Sequence, residues 1–242
     1  MPNGGRYVFR QGEAGAFVPP PGRRDELLRL PDGRFVLKVQ KGGPEVTFAG
    51  DGSLTSMSDR YGNTIAIDRD SFGRVERMSD LGGSERFIEV FWGNDGRIAA
   101  LHDSAGRGVA YRYSGVGALV EVDDLLGRTW GYAYQEGRYG PILSEVRDPW
   151  GRIVTSIVYD SLDRVQSYTD QGVVWTYTYG YGGDPTVTRK QASSGAGFLF
   201  KFGAAGLVER SESIPSGAVT TTLYDADGAI TQTVDASGLA TR

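Results

Sequence analysis

The feature that most constrains this chain is a glycine that returns every 21–24 residues, at Gly62, Gly83, Gly106, Gly127, Gly151, Gly172, Gly195, Gly217 and Gly238. An aspartate stands three places earlier as Asp59, Asp80, Asp103, Asp124, Asp148 and Asp235, and one place closer in "DQGV", as Asp170. "ASSG" and "IPSG" lack it. A second turn interleaves at Gly52, Gly73, Gly96, Gly117, Asp163, Gly206 and Gly228, with Pro141 and Asp184 as weaker fits to the two missing beats. Two reversals per period of about 22 residues leave two strands of about five to eight residues, an ordinary strand length. Glycine suits such reversals because it adopts positive φ without steric cost, and an aspartate opening the turn can accept backbone N–H groups two residues on. The expectation is an all-β antiparallel repeat array over residues 30–242, opening with "PDGRFVLKVQKGG" and preceded by a lead-in at 1–29. No shift in composition marks a second domain.

The strand after each D-x-x-G turn places its side chains alternately on two faces. One face carries Ile65 and Ile67; Ile88, Val90 and Trp92; Val109, Tyr111 and Tyr113; and Trp130, Tyr132 and Tyr134. It continues with Trp175, Tyr177 and Tyr179, then Phe198, Phe200 and Phe202, while Tyr159 and Tyr224 stand just before the turns "DSLD" and "DADG". Aromatic neighbours on adjacent strands stabilise a sheet by about 0.2–1 kcal/mol per pair, so a one-layer sheet can rest on such a ladder. In the alternate strands the apolar positions are three apart: Leu54 and Met57, Val75 and Met78, Ile98 and Leu101. An odd offset does not face one side of a regular strand, which implies either a recurrent bulge or one residue on each face.

Chemistry is sparse. Cysteine is absent, so no disulfide, thiolate nucleophile or cysteine-ligated metal is available. His102, the only histidine, has no second histidine to share a metal and reads as a solvated strand residue. Asp123–Asp124, or Asp68 with Asp70, invite a paired-carboxylate reading. Aspartates that recur with the turns are better explained by turn chemistry, and their loops lack the alternate oxygen ligands of calcium motifs. No catalytic, metal or cofactor residues are therefore assigned. A net charge of −4 with no basic stripe argues against nucleic acid. No apolar stretch reaches the length of a membrane span, and "MPNGGRYVFRQG" lacks the apolar core of a signal peptide. "PPPGRRDELLRL" reads as a solvated lead-in.

The array resembles the RHS/YD-repeat family, through "YDSLDRV" (159–165), "YDADGAI" (224–230), "YRYSGVGAL" (111–119), "DPWGR" (148–152) and the lead-in before "LPDGRFVLKV". Asp163 replaces a turn glycine, and Ser114, Gln135, Gly180 and Gly203 replace the aspartate after the strand-ending aromatic. The resemblance implies a β-sheet strip curling into part of an open spiral shell, as in bacterial polymorphic toxins, insecticidal toxin-complex B/C proteins and teneurins. The implied partners are the remainder of the shell, an encapsulated C-terminal toxin domain and a secretion-system or delivery protein. The implied location is secreted or cell-surface, within a larger protein. The plug, cargo and autocleavage region of such proteins find no match in this sequence. At about 4.8 Å per strand the beats are too few to close a container alone.

Two rivals stand beside this reading. Aromatic hairpin repeats also build choline- and cell-wall-binding solenoids, which would make the ladder a platform for a glycan. The present chain lacks their G-W and W-Y-Y spacing and lysine-rich turns. The fold rival is a β-propeller, in which two periods make one four-stranded blade.

Overall fold

The computed structural model describes residues 7–12, 17–40, 42–226 and 228–241, in two compact units: residues 1–111 with 123–127, and residues 112–122 with 128–242. In the first unit, β1 (Arg10–Gln11) pairs with β2 (Phe17–Val18) as a small hairpin. The repeat strands follow as β3 (Glu26–Arg29), β4 (Phe35–Lys38), β5 (Glu45–Phe48), β6 (Leu54–Ser58), β7 (Thr64–Arg69), β8 (Val75–Asp80), β9 (Phe87–Trp92), β10 (Ile98–Asp103) and β11 (Gly108–Tyr113), whose last two residues belong to the second unit. The second unit holds most of β12 (Leu119–Asp123), then β13 (Thr129–Gly137), β14 (Gly140–Arg147), β15 (Ile153–Tyr159), β16 (Val165–Asp170), β17 (Val173–Tyr179) and β18 (Val187–Ala192). It ends with β19 (Gly197–Phe202), β20 (Val208–Ile214), β21 (Val219–Tyr224), β22 (Ile230–Val234) and β23 (Ala240–Thr241).

From β3 to β11, and again from β13 to β23, each strand hydrogen-bonds antiparallel to the next strand in the chain. The fold is an all-β repeat strip. Pairing does not break after every fourth strand, as separate propeller blades would require, and this removes the propeller alternative.

Most turns of both series share one construction. At Asp148–Arg152 the Gly151 N–H donates to the Asp148 carbonyl and the Asp148 N–H to the Arg152 carbonyl, both at 2.9 Å. This is a three-residue hairpin loop closed by a left-handed residue. Gly151 has φ +79°, and a Cβ there would meet nothing within 4 Å, so conformation and not space requires glycine. Asp163 holds the same position with φ 61°, and aspartate is among the residues that tolerate it. "DQGV" is shorter for a different reason. Asp170 pairs directly with Val173, and Gln171 and Gly172 both have positive φ, as in a two-residue type I′ hairpin.

Two weaker turn assignments change. Pro141 lies within β14 opposite Glu136, and the reversal falls at Arg138–Tyr139, between the paired Gly137 and Gly140. Asp184 has φ −95° and does not close its turn. Gly183, one place earlier at the end of a short 3-10 turn (Tyr181–Gly183), takes the positive φ of 84° and donates to the Gly180 carbonyl, while Asp184 Oδ1 accepts the Thr186 N–H at 2.9 Å.

The odd apolar offset resolves as a recurrent bulge. Phe48 faces Leu54 while Thr47 faces Ser56, so Thr55 is the extra residue. Glu76, Ala99, Ser144, Gln166, Glu209 and Thr231 occupy the same place in later beats. Each bulge returns the residue three places on to the original face. Leu54 and Met57 oppose Phe48 and Val46, and Ile98 and Leu101 oppose Trp92 and Val90.

Among the described residues only Val90 and Ala192, each 7% exposed, are buried apolar side chains. The sheet therefore draws its cohesion from half-buried side chains on its faces. The lead-in is more engaged than a solvated segment. Asp25 is only 5% exposed, its Oδ2 accepts Arg23 Nε at 2.7 Å and its Oδ1 accepts the Gln40 N–H at 3.1 Å. Arg23 in turn lies 4.3 Å from the Tyr7 ring, and Phe17 meets Phe35 edge-on at 6.0 Å. Pairing of the repeat strip itself begins at Glu26, inside the 1–29 stretch.

Candidate functional site

The turn aspartates are built into clamps. Asp148 Oδ1 accepts the N–H groups of Trp150 and Arg152, both at 3.0 Å, and Oδ2 accepts Arg152 Nε at 2.7 Å. Asp103 holds Ala105 and Arg107 in the same way, as Asp70 holds Phe72 and Arg74, and Asp160 holds Leu162 and Arg164. Asp59 uses Asn63 in place of arginine, and Asp235 receives the Ser237 and Leu239 N–H groups. Gly62, Gly106, Gly127, Gly151 and Gly238 each donate to the carbonyl of Asp59, Asp103, Asp124, Asp148 and Asp235 respectively. Each carboxylate of these clamps is thus committed to its own loop. The partner at the fourth position after the aspartate is what the turn reading missed, although "D-x-x-G-R" recurs visibly in the sequence.

A second joint sits at or near the end of β9, β13, β15, β17 and β21. Tyr159 donates its hydroxyl to the Leu143 carbonyl at 2.7 Å, Tyr179 to Val165 at 2.9 Å, Tyr224 to Val208 at 2.9 Å and Tyr134 to Leu119 at 2.8 Å. Trp92 does the same with its indole N–H toward Val75, at 2.9 Å. Val75, Leu143, Val165 and Val208 lie just past the last paired residue of their ladders, Arg77, Glu145, Ser167 and Arg210. The aromatic tip therefore takes a carbonyl that the diverging strand no longer reaches. Burial raises the Tyr134 and Tyr159 hydroxyls above the usual tyrosine range, and burial is also the largest influence raising Tyr179. In two beats the joint and the clamp meet. Arg74 lies 5.0 Å from the Trp92 ring and Arg164 lies 4.2 Å from Tyr179.

Tyr159→Phe is accordingly expected to cost about 1 kcal/mol, the net worth of one hydrogen bond. Tyr132→Phe, whose hydroxyl has no hydrogen-bond partner among the described residues, should be near neutral. Chemical denaturation of the two variants side by side reads the difference, and equal stabilities would show that the hydroxyl joint contributes nothing.

The remaining ladder residues lie on the strands expected of them. Tyr111 and Tyr113 are on β11, Trp130 and Tyr132 on β13, and Phe198, Phe200 and Phe202 on β19, with Phe198 and Phe200 stacked at 5.7 Å. The densest part is on β16–β18. Tyr168 faces Trp175 with the rings 6.4 Å apart and 11° from parallel, Tyr177 lies 6.2 Å from Tyr168, and Tyr177 stacks on Tyr179 at 6.4 Å. Lys190, opposite Tyr177, brings Nζ to 4.5 Å from the Trp175 ring, 5.4 Å from Tyr168 and 5.8 Å from Tyr177.

The residues considered for catalysis remain dispersed in role. Asp70 is a clamp, Asp68 pairs in register with Arg77, and His102 packs beside Phe91 at 4.8 Å. Among the described residues no group of three His, Asp or Glu side chains is placed to hold a metal.

No protein-family model matches the chain. A curated relative, double-stranded DNA deaminase toxin A of Burkholderia cenocepacia (strain H111), is 26% identical over 177 residues, covering 67% of this chain and 12% of the relative. Among solved structures, TcdB2-TccC3 without its hypervariable C-terminal region matches with a TM-score of 0.57 at 11% identity, over 98% of this chain and 15% of that one. The Photorhabdus luminescens Tc holotoxin pore matches with a TM-score of 0.55 at 12% identity, over 94% of this chain and 14% of that one. At such identities the likeness shows a shared fold. The chain spans about an eighth of the curated relative's length, so that protein's activity is not carried over with the match.

Proposed function

We propose that this chain is a non-enzymatic structural module: a portion of an RHS/YD-type shell that encloses a C-terminal toxin domain and helps deliver it as part of a larger secreted or cell-surface protein. The observation that carries the reading is the consecutive strand pairing, in which turn aspartates and terminal aromatics are spent on holding one beat to the next. The fold shared with TcdB2-TccC3 and the sequence likeness to a toxin support it. The deaminase name does not extend to these residues. Nucleobase deaminases activate water on a zinc held by histidine and cysteine, and this chain has one histidine and no cysteine.

The test has two arms. The purified chain should neither deaminate nor cleave double-stranded DNA, and should bind no glycan in a manner that depends on Trp130 or Trp175. Robust turnover lost on changing Asp123 or Asp124, or glycan binding lost in a folded Trp175 variant, would overturn the reading. In the complete protein, deletion of this segment should expose the toxin domain to protease. A toxin equally protected with and without the segment would show that the strip is not part of an enclosing wall.

A further inference from the structure

The face built by Tyr168, Trp175 and Tyr177 has the form of a cation-binding site, and its occupant comes from the same chain. Three rings from two adjacent strands surround one ammonium, all within the distance at which an aromatic quadrupole attracts a cation. Strand register explains the arrangement. Lys190 is held opposite Tyr177 on one side and Phe198 on the other, so its stem runs between aromatic neighbours. Ala192, the residue opposite Trp175, is a small side chain that leaves the space above the indole to the lysine. Burial works against the Lys190 charge, yet hydrogen bonding and charge interaction with Tyr168 and Tyr177 outweigh it and raise the lysine above its ordinary value.

We propose that Tyr168, Trp175 and Tyr177 form a cage for methylated ammonium groups, closed in the native chain by Lys190 acting as a tethered internal ligand. The rings supply the attraction that selects a cation over a neutral group of the same shape. The tether supplies a high local concentration of the competitor, so an external ammonium must displace Lys190 before it binds. The arrangement has a consequence for the aromatic face as a platform. A sugar that stacks on Trp175 must also move the lysine, so Lys190 determines what this surface accepts.

The experiment titrates tetramethylammonium into the intact chain and into Lys190→Ala, following the methyl proton resonance, which rings displace upfield. The alanine variant should bind saturably and at least about tenfold more tightly than the parent, the scale of one desolvated cation–π contact. Adding Trp175→Leu should abolish the shift, and tert-butanol, a neutral probe of similar shape, should bind more weakly than the cation. Lys190→Thr, which favours strand, replaces the alanine variant if that variant does not fold. A folded variant that binds tetramethylammonium no better than the parent, or binds tert-butanol equally well, would overturn the proposal.

Discussion

Tyr179→Ala is expected to destabilise the second unit by about 4 kcal/mol, within the range for removing a large packed aromatic. Three separate contacts end on this side chain. Its ring stacks on Tyr177 at 6.4 Å and receives the Arg164 guanidinium at 4.2 Å, and its hydroxyl reaches the Val165 carbonyl at 2.9 Å. Tyr179→Phe keeps the first two and should cost only about 1 kcal/mol. Tyr177→Ala, which removes the stacking on Tyr179 and the tilted contact with Tyr168, should cost about 3 kcal/mol. The two alanine changes share a contact, so their sum should exceed the cost of the double variant. In a repeat strip stability is roughly a sum over beats and neighbours, so unfolding can be local. Amide exchange across residues 165–192 is therefore the measurement, beside urea denaturation. Alanine variants within about 1 kcal/mol of the parent would mean that the ladder faces solvent without holding the sheet, and would restore the ligand-platform reading.

The period, the two interleaved turns and the aromatic alternation were legible because each rests on a local rule. Positive φ calls for glycine, and a pleated strand alternates its faces. The bulge was half legible: a spacing of three leaves either a bulge or one residue on each face, and only the strand register decides for the bulge. What escaped depends on register, which no short window contains. Lys190 meets Trp175 only because the loop after Tyr179 sets β18 so that Tyr177 opposes it, and that loop departs from the repeat. The hydroxyl joints depend on where a ladder ends, and alternation says nothing of that. Pro141 was misplaced because the reversal at Arg138–Tyr139 uses neither aspartate nor a glycine at its tip. The run Arg23, Arg24, Asp25 and Glu26 reads as a solvated lead-in, whereas Asp25 is buried by its pairing with Arg23 and by the distant Gln40 N–H, which no short window shows.

The turn clamps set the response to acid. Asp80 is held down to about 2, by the Ser84 hydroxyl first, then the Gly82 N–H and Arg86. Asp103 is lowered chiefly by the Arg107 side chain, Asp59 by the Asn63 amide and Asp235 by the Ser237 hydroxyl. At Asp70, Asp148 and Asp160 partial burial pushes the value up, and the paired arginine with two backbone N–H groups more than offsets it. A carboxylate whose folded value is depressed contributes stability that is complete above its unfolded value, near pH 4. That contribution is lost as the pH falls through the folded value. The unfolded chain then binds more protons than the folded one, and the slope of stability against pH grows with the number of such groups. Because the clamps repeat, their losses fall in the same window. The melting temperature should therefore be nearly flat from pH 8 to about 5, then drop steeply between about pH 4 and pH 2. Asp80→Asn should be less stable than the parent at pH 7 and lose less on acidification, because asparagine has no proton to take up. A melting temperature that holds constant from pH 7 to about 2.5 would show that the carboxylates are merely adjacent to the turns and do not hold them.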